Sequence, residues 1–412
     1  MTESVREIFL GRQPILDRQQ GLAGYELLFQ APAGPAHPDP ARTAELVCAA
    51  FSELGLGRAL ASCLAFLPVD GDFVAAEAIE QLPAATVVLE ITATDLADAD
   101  CLARCQMLRE AGYEFCLTGL DKLDTATAEM LALASYLKLD ITTLKPDALN
   151  ALVFELRTTR KLLIANGVAT REQMELCMLM GIDLFEGYYF AQADPVEGRT
   201  LNPSVQGIFR MIGQLMADAD IELLEAGFRT DPALVVNLLR LTNSVGVGAR
   251  MRITSIRHAI AVLGRKQLLR WLQLLLFRQG NDGDMGSNPL MQYAALRGRF
   301  LELLVERLHT ADKQMLDQSF ITGLISVLPA ALGLPMREIL EELATDNDVR
   351  LALLHREGRL GRLLALLDAY DNNDAITVTA CLTEYPQAAP GDLAHVLARA
   401  LEWVQALDQA AN

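Results

Sequence analysis

The sequence predicts an α/β domain followed by an all-α domain: a (β/α) barrel closed from eight short strands, then a purely helical region. Three observations predict this. Within residues 8–191, eight short apolar runs alternate with segments of helical spacing, which implies parallel strands joined by right-handed crossovers. Eight strands in so short a stretch favour a closed barrel over an open doubly wound sheet, and no GxGxxG follows the first strand to support a dinucleotide-binding open form. Beyond Pro195, Gly198 and Pro203 the apolar spacing changes to threes and fours and stays so, which sets two domains, 1–198 and 199–412.

The elements follow in order. Strand candidates are "IFLGRQPIL", "GYELLF", "CLAFLPV", "TVVLEIT", "YEFCLTGL", "YLKLDI", "KLLIANGV" and "LFEGYYF", short apolar runs rich in β-branched or aromatic residues. The first two follow each other without a helix, so that end of the barrel is expected to be partly antiparallel. Helical segments fall at 42–56, 74–82, 98–111, 124–134, 146–157 and 170–180. In the second half helical spacing recurs at 204–226, 231–243, 254–277, 289–309, 315–332, 335–344, 346–355, 358–370, 373–384 and 390–408. Thr230, Asp231 and Pro232 give a cap and a first-turn proline ahead of "ALVVNLLRLTN". Ser255 opens "IRHAIAVLG", which Gly264 closes.

Charge excludes some functions. The chain carries 35 basic and 53 acidic residues, a net of −18, and −14 of that lies in residues 1–200. Phosphate repels such a surface, so general nucleic-acid binding is not expected. The N-terminal segment has no signal-peptide pattern, and the apolar run "LLRWLQLLLF" (268–277) is too short to span a bilayer and is interrupted by Arg270 and Gln273. That run reads either as a buried core helix or as an exposed face suited to dimerisation. Seven irregularly spaced cysteines without a CxxC pair indicate a cytoplasmic protein. Cys101 and Cys105, one helical turn apart, read as small residues on one face, with a metal pair as the alternative.

In a barrel, chemistry gathers at the C-terminal ends of the strands. Those ends offer Glu26, Pro68, Glu90, Thr118 with Gly119, Lys138 with Asp140, Asn166 and Glu186. Magnesium or manganese needs several hard oxygens, usually more than one carboxylate. Glu26 and Glu90 supply two; the proline, threonine, glycine and amide elsewhere make a thin cation site.

"RQPILDRQQGLAGYELLFQ" closely resembles the opening of the EAL domain, the cyclic di-GMP phosphodiesterase barrel of TIM type, and the resemblance runs through most of residues 5–195. "VVLEIT" is similar to the strand bearing that family's second metal glutamate, "YLKLD" to its Lys-x-Asp strand and "FEGYYF" to its closing QGY strand. Carried over position by position, Glu26, Glu90, Lys138 and Asp140 match. The metal asparagine falls on Pro68 and the paired aspartates on Thr118 and Gly119. The AEGVE glutamates fall on Asn166 and Ala169, the QGY glutamine on Glu186, and the phosphate-contacting arginine on Gln30. Asp121 lies near the lost pair, in a loop. The resemblance therefore implies a vestigial site with no metal, no cofactor and no hydrolysis. Glu26 becomes a polar tip in the barrel mouth, paired with Lys138. Gln30 in place of the arginine speaks against cyclic di-GMP binding.

"FRTDPALVVNLLRLTNSVGVGARMRITSIRHAIAVLGRKQLLRWL" strongly resembles the HDOD domain, a helical relative of HD phosphohydrolases, and the chain as a whole resembles EAL–HDOD signalling proteins of the YuxH type. There is no His-Asp dipeptide; Ser326 and Val327 stand where HD enzymes carry it, so this domain too is expected to be non-enzymatic. Residues 232–281 contain eight basic and no acidic side chains. They read as a solvated face, or as an interaction surface for an acidic partner centred on Arg250, Arg252, Arg257 and Arg270.

The reading is a non-catalytic cytoplasmic signalling protein that docks other signalling proteins through the HDOD or EAL-like domain, in cyclic di-GMP-linked control of motility or biofilm. A homodimer is compatible with it; neither membrane nor nucleic acid is an expected partner. Two alternatives stay open: a cyclic di-GMP receptor without hydrolysis, and a residual phosphodiesterase using Glu26, Glu90 and Lys138.

Overall fold

The computed structural model describes residues 8–30, 40–60, 63–120, 128–192, 203–243, 253, 255–277, 288–308, 313–343 and 345–411. Eight strands close a barrel in chain order: β1 (Phe9–Asp17), β2 (Leu22–Gln30), β3 (Leu64–Pro68), β4 (Val87–Thr92), β5 (Glu114–Thr118), β6 (Tyr136–Asp140), β7 (Leu162–Asn166) and β8 (Leu184–Glu186). Each lies within one of the eight apolar runs. Strands β2 to β8 pair in parallel, while β1 runs antiparallel to both β2 and β8. The cause is local. The link from β1 to β2 is a tight turn in which the Asp17 carboxylate accepts from the backbone N–H of Gln19 (2.8 Å) and Gly21 (2.7 Å), and no crossover helix fits there.

The crossovers after β2 carry α1 (Pro40–Glu53), α2 (Leu56–Ala59), α3 (Gly71–Ala75), α4 (Ala99–Glu110), α5 (Ala128–Leu133), α6 (Pro146–Leu156) and α7 (Arg171–Met180). Their starts are sharply defined. Asp70 and Asp98 accept from the N–H groups of Phe73 and Cys101, and Thr170 with Gln173 forms a capping box ahead of α7. Asp98 thus ends up as a cap beside the Cys101–Cys105 pair on α4, and both thiols are pushed up by burial first.

The helical region holds α8 (Pro203–Met216), α9 (Ile221–Arg229), α10 (Pro232–Asn243), α11 (Ile256–Leu263), α12 (Arg265–Leu275), α13 (Pro289–Arg307), α14 (Lys313–Ile325), α15 (Leu328–Leu332), α16 (Met336–Glu342), α17 (Asn347–His355), α18 (Gly358–Asp371), α19 (Ala375–Leu382) and α20 (Pro390–Ala411). The periodic stretch 204–226 is two helices rather than one, broken at Asp218 in left-handed backbone. "LLRWLQLLLF" lies inside: Trp271 is buried and stacks on Phe228 at 6.4 Å, which decides for the core reading. No helix among the described residues is long and apolar enough to cross a membrane.

The sequence divides at 198/199 in chain order; packing divides the chain differently. Residues 1–190 with 368–402 form one compact unit, and 191–367 with 403–412 the other. Within the first unit the returning segment seats on β1. Arg12 is buried and pairs with Asp371 at 3.1 Å, and Phe9 meets Tyr370 edge-on at 5.4 Å. Gly11 lies against the same segment: a Cβ there would stand 2.1 Å from Asn373 Oδ1 and would displace that side chain. A barrel whose first two strands form a hairpin lacks a crossover helix between them, and residues 370–373 of the returning segment pack against β1 instead.

Candidate functional site

Period-two alternation builds the site. Ile15, Phe66, Val88, Cys116, Ile164 and Leu184 form a fully apolar layer inside the barrel. Two residues further along the parallel strands, the same inward face carries Pro68, Glu90, Thr118, Asn166 and Glu186. Glu26 joins them from β2, opposite Gln13, and Lys138 reaches up from β6. An apolar floor therefore carries a polar storey at the C-terminal mouth.

Four of these side chains converge. Lys138 Nζ lies 2.5 Å from Glu90 Oε1, 2.7 Å from Glu186 Oε2 and 3.1 Å from Glu26 Oε1. The expected Glu26–Lys138 pair is present as a hydrogen bond, with the ammonium donating. Glu90 Oε1 and Glu186 Oε2 are buried against the Lys138 ammonium, and both carboxyls are in hydrogen-bond contact with Glu26. Gly187 fixes the β8 end: its φ is 142°, and a Cβ there would stand 2.1 Å from the Val168 carbonyl.

The electrostatics follow from burial. Desolvation pushes the Glu90 carboxyl up to about 8, against the pull of Lys138, and raises fully buried Glu186 well above the ordinary carboxylate range. Burial also acts to raise Glu26, but the Lys138 charge and hydrogen bonds from Glu186 and Glu90 outweigh it and hold Glu26 low. Burial pulls Lys138 down; the charges of Glu186, Glu90 and Glu26 more than reverse that and keep it an ammonium. The cluster is an ion pair of Lys138 with Glu26, beside two carboxyls whose ionised forms burial disfavours.

One ligand oxygen from each of Glu26, Glu90 and Glu186 lies within 4.8 Å of the others. Hard oxygens from three strands suit one magnesium or manganese ion, with the ammonium already standing in a cation's place. The sequence assigned no metal set. It placed Glu186 as an isolated departure from a glutamine, whereas the fold makes it the third carboxylate.

The other named positions lie around this cluster. Pro68 is exposed; Thr118 and Asn166 are half-buried at their strand ends; Gly119 turns the chain at φ 73°. Asp140, opposite Asn166, is held by the N–H (2.8 Å) and hydroxyl (2.6 Å) of Thr142. Gln30 is exposed at the end of β2. Asp121 lies outside the described residues. In the helical unit Ser326 Oγ accepts from Arg297 Nε at 3.0 Å. Arg257 pairs with Glu222 (2.7 Å) and Glu225 (3.4 Å), Arg270 with Glu302 while covering Phe320, and Lys266 with Asp317. Much of the acid-free stretch is thus neutralised by acids outside it; Arg250 and Arg252 lie outside the described residues. Sequence reasoning missed Arg12, whose signal was a charge inside an apolar strand run.

The EAL domain model matches residues 72–193 and the HDOD domain model residues 201–330. The chain carries an EAL-type domain followed by an HDOD-type domain. It is 28% identical over 377 residues to the cyclic di-GMP phosphodiesterase CdgJ of Vibrio cholerae, covering 89% of this chain and 85% of that one. It is 24% identical to the uncharacterized protein YuxH of Bacillus subtilis, over 89% of this chain and 91% of that one. Among solved structures, the PaMucR phosphodiesterase in complex with c-di-GMP aligns with 48% of this chain and 99% of its own at 21% identity and a TM-score of 0.37, a likeness on which no inference rests.

These findings correct the expectation that this EAL–HDOD chain is not an enzyme. A relative with which it aligns over most of both lengths carries a phosphodiesterase name. The physical reason for the error is Glu186. Counting lost ligands one position at a time overlooked that a carboxylate on β8 joins Glu26 and Glu90, so three hard donors remain together.

Proposed function

We propose that this protein works in cyclic di-GMP signalling by taking the cyclic dinucleotide into the barrel mouth, and that cation-dependent opening of a phosphodiester is the reaction its site serves. The convergence of Glu26, Glu90 and Glu186 on Lys138 at the mouth of an EAL barrel carries the reading; the name of the relative CdgJ supports the substrate and reaction. The three carboxylates would hold one divalent cation, which supplies Lewis-acid polarisation of a phosphate oxygen. Lys138 supplies a positive charge on a flexible stem that can meet a phosphate, and the apolar layer beneath excludes water from below. Asp140, held by Thr142, is a further carboxylate on the Lys138 face.

The second half and its location belong to the same proposal: the helical unit passes the state of the barrel to partner proteins in the cytoplasm. Because Arg257 and Arg270 already share their charge with acids of their own unit, we do not assign that docking to them.

The test is chromatography of cyclic di-GMP incubated with the full chain and manganese or magnesium. Linear product that disappears with chelator and with Glu26→Gln is expected. Intact nucleotide under all conditions, with no heat of binding in calorimetry, would overturn the reading. Binding without product would leave the uptake and remove the hydrolysis.

A further inference from the structure

We propose that residues 370–373 form an autoinhibitory stop on the barrel mouth. Seated on the two strands that project beyond the mouth, they occupy ground the cyclic dinucleotide needs, and it binds fully when they leave. The inference rests on the barrel mouth being the working site, and concerns how entry to that site is controlled.

Strands β1 and β2 outrun the rest of the barrel wall. Among the described residues, β3 pairs with β2 at 24–26 and β8 pairs with β1 at 15–17. Residues 9–12 and 27–30 pair with each other and project past the storey of Glu26, Glu90 and Lys138 as a two-stranded ribbon. Period-two alternation puts Phe9, Gly11 and Gln13 on the face that Ile15 presents to the barrel interior. Their cross-strand partners are Gln30, Leu28 and Glu26. This wall rises from Glu26 itself, so a nucleotide whose phosphate reaches the Glu26–Lys138 pair stands against it.

The returning segment stands there instead. The Tyr370 ring meets Phe9 edge-on at 5.4 Å, and Asn373 Oδ1 fills the notch left by Gly11, 2.1 Å from where a Cβ would be. Phe9 is 4% exposed although it projects beyond the barrel, so this side of the ribbon is covered. Asp371 reaches the opposite face, where it pairs with Arg12 at 3.1 Å. The segment thus holds the ribbon from both faces. Its shape is set locally. Asn373 turns the chain in left-handed backbone (φ 56°), which asparagine tolerates, and the Asp374 N–H donates to the Ala369 carbonyl at 3.0 Å. Asp374 then caps α19, accepting from Thr377 N–H at 2.9 Å.

Two features mark a contact built to open. Asn373 Oδ1 is buried without a hydrogen-bond partner, so part of the seat is dehydrated polar surface with nothing in exchange. The hold on Arg12 is a buried ion pair, which fixes a register more than it adds stability. The segment also has a handle: Tyr370 and Asp371 end α18, whose residues 358–367 belong to the helical unit. A change in that helix reaches the stop through the chain itself.

The experiment is calorimetry of cyclic di-GMP, in magnesium and again in chelator, on the full chain, Asp371→Ala and Asn373→Gly. Asp371→Ala releases the hold on Arg12; Asn373→Gly empties the Gly11 notch and keeps the left-handed turn. A stop seated about nine-tenths of the time weakens apparent affinity about tenfold, so Asp371→Ala should bind about tenfold tighter and Asn373→Gly should move the same way. Circular dichroism checks folding, and Asn373→Gly decides the matter if Asp371→Ala does not fold. Hydrogen exchange on wild type reads the stop directly: saturating nucleotide should speed exchange of the Asn373 and Asp374 amides, which the turn protects. Unchanged or weaker binding in the folded variants, or exchange at those amides that stays the same or slows, overturns the proposal. No binding by any of the three proteins sinks the functional reading and this inference with it; equal binding by all three sinks this inference alone.

Discussion

Replacing Lys138 by methionine removes the positive charge that touches three buried carboxylates and keeps a side chain of similar length. Ligand oxygens within 4.8 Å of one another repel, when ionised, by about 3.5 kcal/mol per pair at an effective dielectric constant of about 20. Burial disfavours the ionised forms of Glu90 and Glu186 and so reduces that repulsion, and the net loss should be that of a broken buried ion pair, about 3–5 kcal/mol near pH 8. It should shrink as pH falls towards about 5, where protonation removes the repulsion. The assay is urea denaturation in chelator, followed by far-UV circular dichroism. Fluorescence would mislead, because the tryptophans Trp271 and Trp403 both belong to the helical unit. A barrel transition that moves by less than about 1 kcal/mol at pH 8, or a loss that does not shrink with acid, refutes the reasoning.

Two further outcomes are expected. Asp371→Ala withdraws the carboxylate at 3.1 Å from buried Arg12 and should cost the barrel unit roughly 3 kcal/mol in the same denaturation; the pair Arg12→Met with Asp371→Leu should recover much of it, and an unaffected barrel would show that residues 368–402 do not stabilise it. Burial raises Glu90 from its ordinary 4.5 to about 8, so its contribution to stability is complete below 4.5 and is lost as pH rises through about 8. Glu90→Gln cannot ionise and should gain on wild type as pH climbs from about 5 to about 9; urea midpoints that fall equally in both proteins contradict it.

The barrel was legible because its strands are short apolar runs between capped helices, and the antiparallel start was legible because two such runs follow each other without a helix. Glu26, Glu90 and Lys138 were legible from strand ends and motif resemblance. Glu186 was visible only as a substitution. That it meets the others needs the closed barrel, which brings β8 beside β1 and so near Glu26 of β2. The seat of 368–402 on β1 was not legible, since Arg12 and Asp371 are 359 positions apart and no periodicity links them. The basic stretch misled for a related reason: acids on α8–α9 and α13–α14, or at their ends, neutralise it across space, while a window along the chain sees only the excess.

The most direct measurement is a crystal structure of the full chain grown with manganese and cyclic di-GMP, with data at the manganese absorption edge. The account predicts one anomalous peak within coordination distance of Glu26, Glu90 and Glu186, a nucleotide phosphate against it, and the Lys138 ammonium moved off the three carboxylates. Lys138 still seated among them, with no peak and the nucleotide elsewhere or absent, contradicts it.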